Sequence, residues 1–138
     1  KAKAEKKVTI NSIVPYEKIP KIISEHDIIL FPSFVGEAFG RVAFEACSLG
    51  KIVIASEIGG ITDIIEDRVT GFLFEPGNYK ELRSILKKVH SGELDLDREK
   101  IKRIMREKFS EEKTLSKVIK LYNQLYSLDV RNKQANNG

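Results

Sequence analysis

Two carboxylates stand out in the stretch PSFVGEAFGRVAFEACSLG, residues 32–50. Glu37 and Glu45 lie in an otherwise apolar segment, and a carboxylate taken out of water is costly unless a partner meets it. Gly36 precedes the first of them and permits backbone geometry and close ligand approach that a side chain forbids. A helix beginning close to Ala38 would aim its first free N–H groups at the same place as Glu37. Those groups would take phosphate or hydroxyl oxygens, while the carboxylate would take hydroxyl hydrogens. Glu45 follows eight residues later, up to about 12 Å along a helix. Carboxylates so separated cannot share one proton, but they suit the two ends of an extended, hydroxyl-rich molecule. A plainer reading competes: Glu37 caps the helix start, and Glu45 pairs with Arg41 at i,i+4. Spacing alone leaves both open.

The elements that would position these residues alternate along the chain. KVTI (7–10) is a short strand candidate, and Pro15 leads into a helical face carrying Ile19, Ile22 and Ile23. DIILF (27–31) is a continuous apolar run closed by Pro32, as in a buried parallel strand. The glutamate segment then reads as a helix through Val42, Ala46 and Leu49, ended by Gly50. KIVIA (51–55), a short helix in ITDIIED and the strand FLFEP (72–76) complete the alternation. Beyond residue 76 the pattern is helical: from Tyr79 to His90, then about 98–108, then about 111–128.

This order predicts an α/β fold: a three-layer, Rossmann-like parallel sheet, incomplete at about four strands and followed by C-terminal helices. It divides the chain into a domain over 1–128 and a polar, disordered tail over 129–138. In such sheets ligands bind beyond the carboxyl ends of the strands, where PSFVGEAFG and ASEIGG both fall. Gly59 and Gly60 either keep the second loop low enough to admit ligand or form a simple turn. Asp95-Leu-Asp97 has a metal-binding spacing, but it precedes a helix away from that rim, where capping explains it. His26 at a helix-to-strand junction is read as packing, and His90 as a helix-end cation. No clustered His or Cys predicts a metal site.

Composition narrows the function classes. The chain has 138 residues, 41% hydrophobic and 32% charged, enough for one cored domain rather than two large lobes. No run approaches the roughly 18 apolar residues of a membrane span. KAKAEKK at the start lacks a hydrophobic signal core, which points to a cytoplasmic setting, with the inner face of the membrane as its variant. The net charge of +4 comes from lysines interleaved with glutamates, without a nucleic-acid-binding signature, so no nucleic-acid partner is expected. REKIKRIMREK (98–108) reads as a solvated helix face ahead of a peripheral contact with anionic lipid. The single cysteine, Cys47, reads as a small buried hydrophobe.

From about Val8 to Tyr126 the ordered series HDIILFPS, GEAFGRVAFEACSLGKIVIAS, GGITDIIED, TGFLFEP and YKELRSILKKV resembles a known domain. It is similar to the latter part of the C-terminal, donor-binding domain of retaining two-lobed (GT-B type) glycosyltransferases. That superfamily, the group 1 glycosyl transferases, includes glycogen synthase, sucrose synthase and many mannosyltransferases. The resemblance implies transfer of a sugar from a nucleoside-diphosphate sugar, a UDP-, GDP- or ADP-hexose, to an acceptor hydroxyl with retention of configuration. No further cofactor is implied. Glu37 matches the family glutamate at the transferred sugar, sometimes cast in a catalytic role. The backbone of Ala38, Phe39 and Gly40, next to Gly36, resembles the part that receives sugar hydroxyls and diphosphate oxygens. Glu45 resembles the carboxylate that binds the ribose diol. Pro15 and Tyr16 occupy the region where the family commonly contacts the nucleobase, although a surface tyrosine at a helix start is the preferred reading.

The series lacks the family's N-terminal acceptor lobe and the first, basic part of the donor lobe, so an unseen lobe or partner chain is expected. In the usual strand order 3-2-1-4-5-6, KVTI and DIILF would be separated by two missing strands. That gap predicts displacement of KVTI or self-association into a homo-oligomer through exposed edges. Ser12 stands where the family often has glycine. The alternatives to a glycosyltransferase segment are a non-catalytic nucleotide-sugar-binding or partner subunit, inactive without an acceptor lobe, and a structural domain.

Overall fold

A computed structural model describes residues 9–10 and 12–135. Three parallel strands form the sheet among them: β1 (Ile28–Phe31), β2 (Ile52–Ser56) and β3 (Phe72–Phe74), side by side in the order β1-β2-β3. β1 pairs with β2 from Ile28↔Ile52 to Phe31↔Ala55, and β2 with β3 from Ile54↔Phe72 to Ser56↔Phe74. These are the strands expected from DIILF, KIVIA and FLFEP. The fourth, expected at 7–10, falls largely outside the described residues; Thr9 and Ile10 are described and form no strand.

β2 is the interior strand. All five of its residues are buried, and its alternation sends Val53 and Ala55 into one cluster and Ile52 and Ile54 into another. Helices cover both faces. On one side lie α1 (Ile19–Ser24), α2 (Arg41–Ser48), the single turn α3 (Ile61–Ile64) and α5 (Arg98–Lys108). On the other side α4 (Tyr79–His90) lays Leu82, Ile85, Leu86 and Val89 over Ile52, Ile54, Phe72 and Phe74. The layers are the three expected of an α/β sheet.

α2 approaches the sheet closely because the side chains it buries are small: Ala43, Ala46 and Cys47 are fully inaccessible. Ile101 and Met105 of α5 fill the space behind them. The Cys47 thiol lies 3.6 Å from the Thr70 carbonyl, and its burial pushes the thiol up to about 12. Asp97 caps α5 by accepting from the Glu99 and Lys100 amides, each at 3.0 Å, as expected for this aspartate. His26 Nδ1 contacts the Ile22 carbonyl at 2.7 Å, a packing role.

The first and last helices depart from the sequence reading in their boundaries. The helix expected from Pro15 is a 3₁₀ turn at Tyr16–Lys18 followed by the short α1. The last helix, α6 (Glu111–Ala135), continues past residue 128 into the stretch expected to be a tail. Its apolar side chains stay open to solvent, Leu115 at 57% and Tyr122 at 70%. No helix among the described residues is long and apolar enough to cross a membrane.

Candidate functional site

The loop after β1 and the loop after β2 meet at the carboxyl end of the sheet, and backbone holds them together. The Gly60 amide donates to the Glu37 carbonyl at 2.7 Å. A Cβ on Gly59 would lie 2.6 Å from the Glu37 carbonyl oxygen, and one on Gly60 would lie 2.7 Å from Phe39 Cα. Side chains at either position would therefore drive the loops apart, so the paired glycines are a close-approach device as well as a turn. Phe39 anchors the other end of the first loop. Its ring sits 5.7 Å from Phe44 and 6.0 Å, edge-on, from Phe109, and Phe44 meets Phe109 at 5.2 Å.

This clamp changes where α2 begins. The helix was expected near Ala38, but residues 36–40 form a loop and α2 starts at Arg41. Gly40 precedes it at φ 84°, a left-handed conformation that closes the loop and turns the chain into the helix. The amides of Ala38, Phe39 and Gly40 thus belong to the loop and not to a helical first turn. Glu37 does not cap α2, because no side chain accepts from the helix's N-terminal amides. Its carboxylate is exposed, and among the described residues no hydrogen bond or ion pair engages it.

Glu45 is held quite differently. It lies on α2, its side chain 16% exposed, with Arg41 Nε 3.8 Å from Oε1. The i,i+4 pairing with Arg41 is therefore present, though loose. The stronger partner is one the sequence did not reveal: Tyr16, 29 residues earlier, donates its phenolic O–H to Glu45 Oε1. The Arg41 guanidinium stacks over the same tyrosine ring, 4.3 Å from its centroid. Donation to the carboxylate raises the phenol above its ordinary value, with desolvation acting in the same direction.

Two buried side-chain oxygens have no hydrogen-bond partner among the described residues: Glu45 Oε2 and Ser56 Oγ. Ser56 ends β2, at the rim itself. Buried polar atoms are rarely left unpaired, which sets these two oxygens apart from the rest of the interior. No group of three or more His, Cys, Asp or Glu able to hold a metal ion occurs among the described residues.

The fold agrees with what comparison with known proteins finds. Residues 1–108 match the family model of glycosyl transferases group 1, and the chain belongs to that family. One relative is the amylovoran biosynthesis glycosyltransferase AmsK of Erwinia amylovora, 34% identical over 87 residues, covering 59% of this chain and 21% of AmsK. Among solved structures, Anabaena HepE in complex with UDP is 27% identical with a TM-score of 0.67, covering 77% of this chain and 30% of that one. Sucrose-phosphate synthase from Thermosynechococcus elongatus is 25% identical with a TM-score of 0.74, covering 89% and 31%. The chain therefore spans about a fifth to a third of the length of these proteins.

Proposed function

We propose that this chain forms one wall of the donor site of a glycosyltransferase that moves a sugar from a nucleoside diphosphate to an acceptor hydroxyl with retention of configuration. The observation that carries the reading is the rim itself. A free carboxylate, Glu37, stands on a loop clamped by Gly59 and Gly60, and a second carboxylate, Glu45, lies behind it with one oxygen unpaired. HepE, similar in fold and sequence, has been solved with UDP and with UDP-glucose, which supports a nucleotide sugar as the donor.

In this reading Glu37 faces the transferred hexose. It accepts from the sugar hydroxyls and orients the anomeric carbon toward the incoming acceptor. Gly36 leaves room for the sugar, and the loop amides of Ala38, Phe39 and Gly40 donate to sugar and diphosphate oxygens. Their fixed direction favours the charge that develops on the leaving diphosphate. Glu45 takes the ribose diol, which would satisfy the oxygen now left unpaired. In this reading the acceptor lobe and the cationic side of the donor site lie outside this chain, so the segment alone binds donor weakly and does not turn over.

Titration of UDP, GDP and ADP into the full-length protein tests this. Saturable binding that is lost in Glu45→Ala and kept in Asp97→Ala is the expected result. Absence of binding by all three nucleotides would sink the proposal in favour of a purely structural domain. Binding without sugar transfer, in the presence of nucleotide sugars and hydroxylated acceptors, would favour a non-catalytic subunit.

A further inference from the structure

We propose that Tyr16 is a gate on Glu45: its phenolic hydroxyl occupies the carboxylate oxygen that a ribose diol needs, and nucleotide binding requires that contact to open. The inference rests on the assignment of Glu45 to the ribose. A diol bound side by side needs both carboxylate oxygens as acceptors. As the chain stands, Oε1 accepts from Tyr16, whose ring stands beside it, and Oε2, though unpaired, is sealed from solvent, so a diol reaches the pair only when the ring moves aside.

The parts of the gate are suited to an exchange. Tyr16 is 48% exposed, so moving its ring uncovers little apolar surface. It sits on a single 3₁₀ turn held by two backbone bonds, the Lys18 amide to the Pro15 carbonyl at 3.0 Å and the Ile19 amide to the carbonyl of Tyr16 itself, so the exchange is a swing of the side chain on a fixed backbone. Opening breaks one phenol–carboxylate hydrogen bond and one stacking contact with Arg41. Binding then restores a hydroxyl donor to the same oxygen and brings a second to Oε2. Arg41, on the same helix as Glu45, stays beside the carboxylate throughout. The closed contact lowers apparent affinity by the fraction of molecules in which it is shut. Tyr16 thereby sets how much nucleotide is needed without itself touching the reacting atoms.

The test is calorimetric titration of the full-length protein with UDP, GDP and ADP, and with their 2′,3′-dideoxy forms. Tyr16→Phe keeps the ring and removes the donor, and it should bind the best of the three nucleotides about three- to tenfold more tightly. The gain should vanish with the matching dideoxynucleotide, which has no hydroxyls to place on Glu45. Unchanged or weaker binding by Tyr16→Phe overturns the gate, and so does a gain that persists in full without the ribose hydroxyls. Glu45→Ala separates the two layers of the argument. If it binds like the wild type, the ribose assignment falls and the gate with it. If it loses affinity while Tyr16→Phe gains none, the gate alone falls.

Discussion

Glu37 and Glu45 belong to one rim, yet they are held by opposite means. Around Glu37 the nearest fixed points are backbone, the Gly60 amide on its carbonyl, two glycines against the loop and Gly40 in a left-handed turn, with the Phe39 ring anchoring the loop's far end. Its own carboxylate has no partner among the described residues. Around Glu45 the backbone is ordinary helix, and side chains do the holding, with Tyr16 on one oxygen and Arg41 alongside. A group fixed through the main chain leaves its side chain available for chemistry. A group fixed through its side chain is already engaged, and a ligand must displace what holds it.

The difference predicts how each region breaks. The largest effect is expected from Glu37→Gln, which keeps the loop and removes the charge: sugar transfer by the full-length protein should fall by about 10²-fold or more, with nucleotide affinity nearly unchanged. Steady-state kinetics beside UDP titration would show it, and an equal loss in both would place Glu37 with Glu45 as a binding group. Next is Gly60→Ala, whose methyl must push against Phe39 Cα and the Ala38 backbone. It should cost about 1–3 kcal/mol of stability in urea unfolding and weaken donor binding as well. Stability equal to wild type would mean the clamp is not what sets the loop.

Smaller is the effect of pH on the Tyr16–Glu45 contact. The phenol is raised in the folded protein, so on the alkaline side the contribution of the contact is complete below the ordinary tyrosine range and is lost as pH rises through the raised value. In an absorbance titration of phenolate, Tyr16→Phe should remove a late-titrating component, and removal of an early one would contradict the geometry. Smallest is Cys47, at neither glutamate. Buried and pushed up to about 12, its thiol should resist alkylation in the native protein and react at the normal rate in denaturant. Fast native labelling would mean that α2 opens locally and that Glu45 is less firmly placed than its contacts indicate.

The sheet was legible because its signals are local. DIILF and KIVIA are continuous apolar runs ended by Pro32 and by the Ser56–Gly60 turn, and such runs have few alternatives to a buried parallel strand. The start of α2 was not legible. Ala38 and Phe39 suit a helix as well as a loop, and what decides is the Gly59–Gly60 backbone some twenty residues on. Tyr16 escaped for the same reason: nothing in PYEK announces a partner 29 residues away. The end of α6 is not legible because polarity at a chain end marks a helix and an irregular tail alike. Arg131, Lys133 and Gln134 are polar but good helix formers, and the helix runs through them. For the paired glutamates, the type and spacing of residues singled out the segment, while the state of each carboxylate lay in contacts between distant segments.

β2 has a consequence for the time course of synthesis. It is enclosed on both faces and paired along both edges, so it cannot be satisfied by anything that precedes it. Ile54 pairs with Phe72, 18 residues downstream (72 − 54), and α4, which covers its far face, begins only at Tyr79. At about 5–20 residues per second, a ribosome leaves that strand half-covered for roughly one to four seconds. For that interval the face of β2 that carries Ile52 and Ile54 lacks its cover, and a chaperone that recognises IVIA would find its opportunity there.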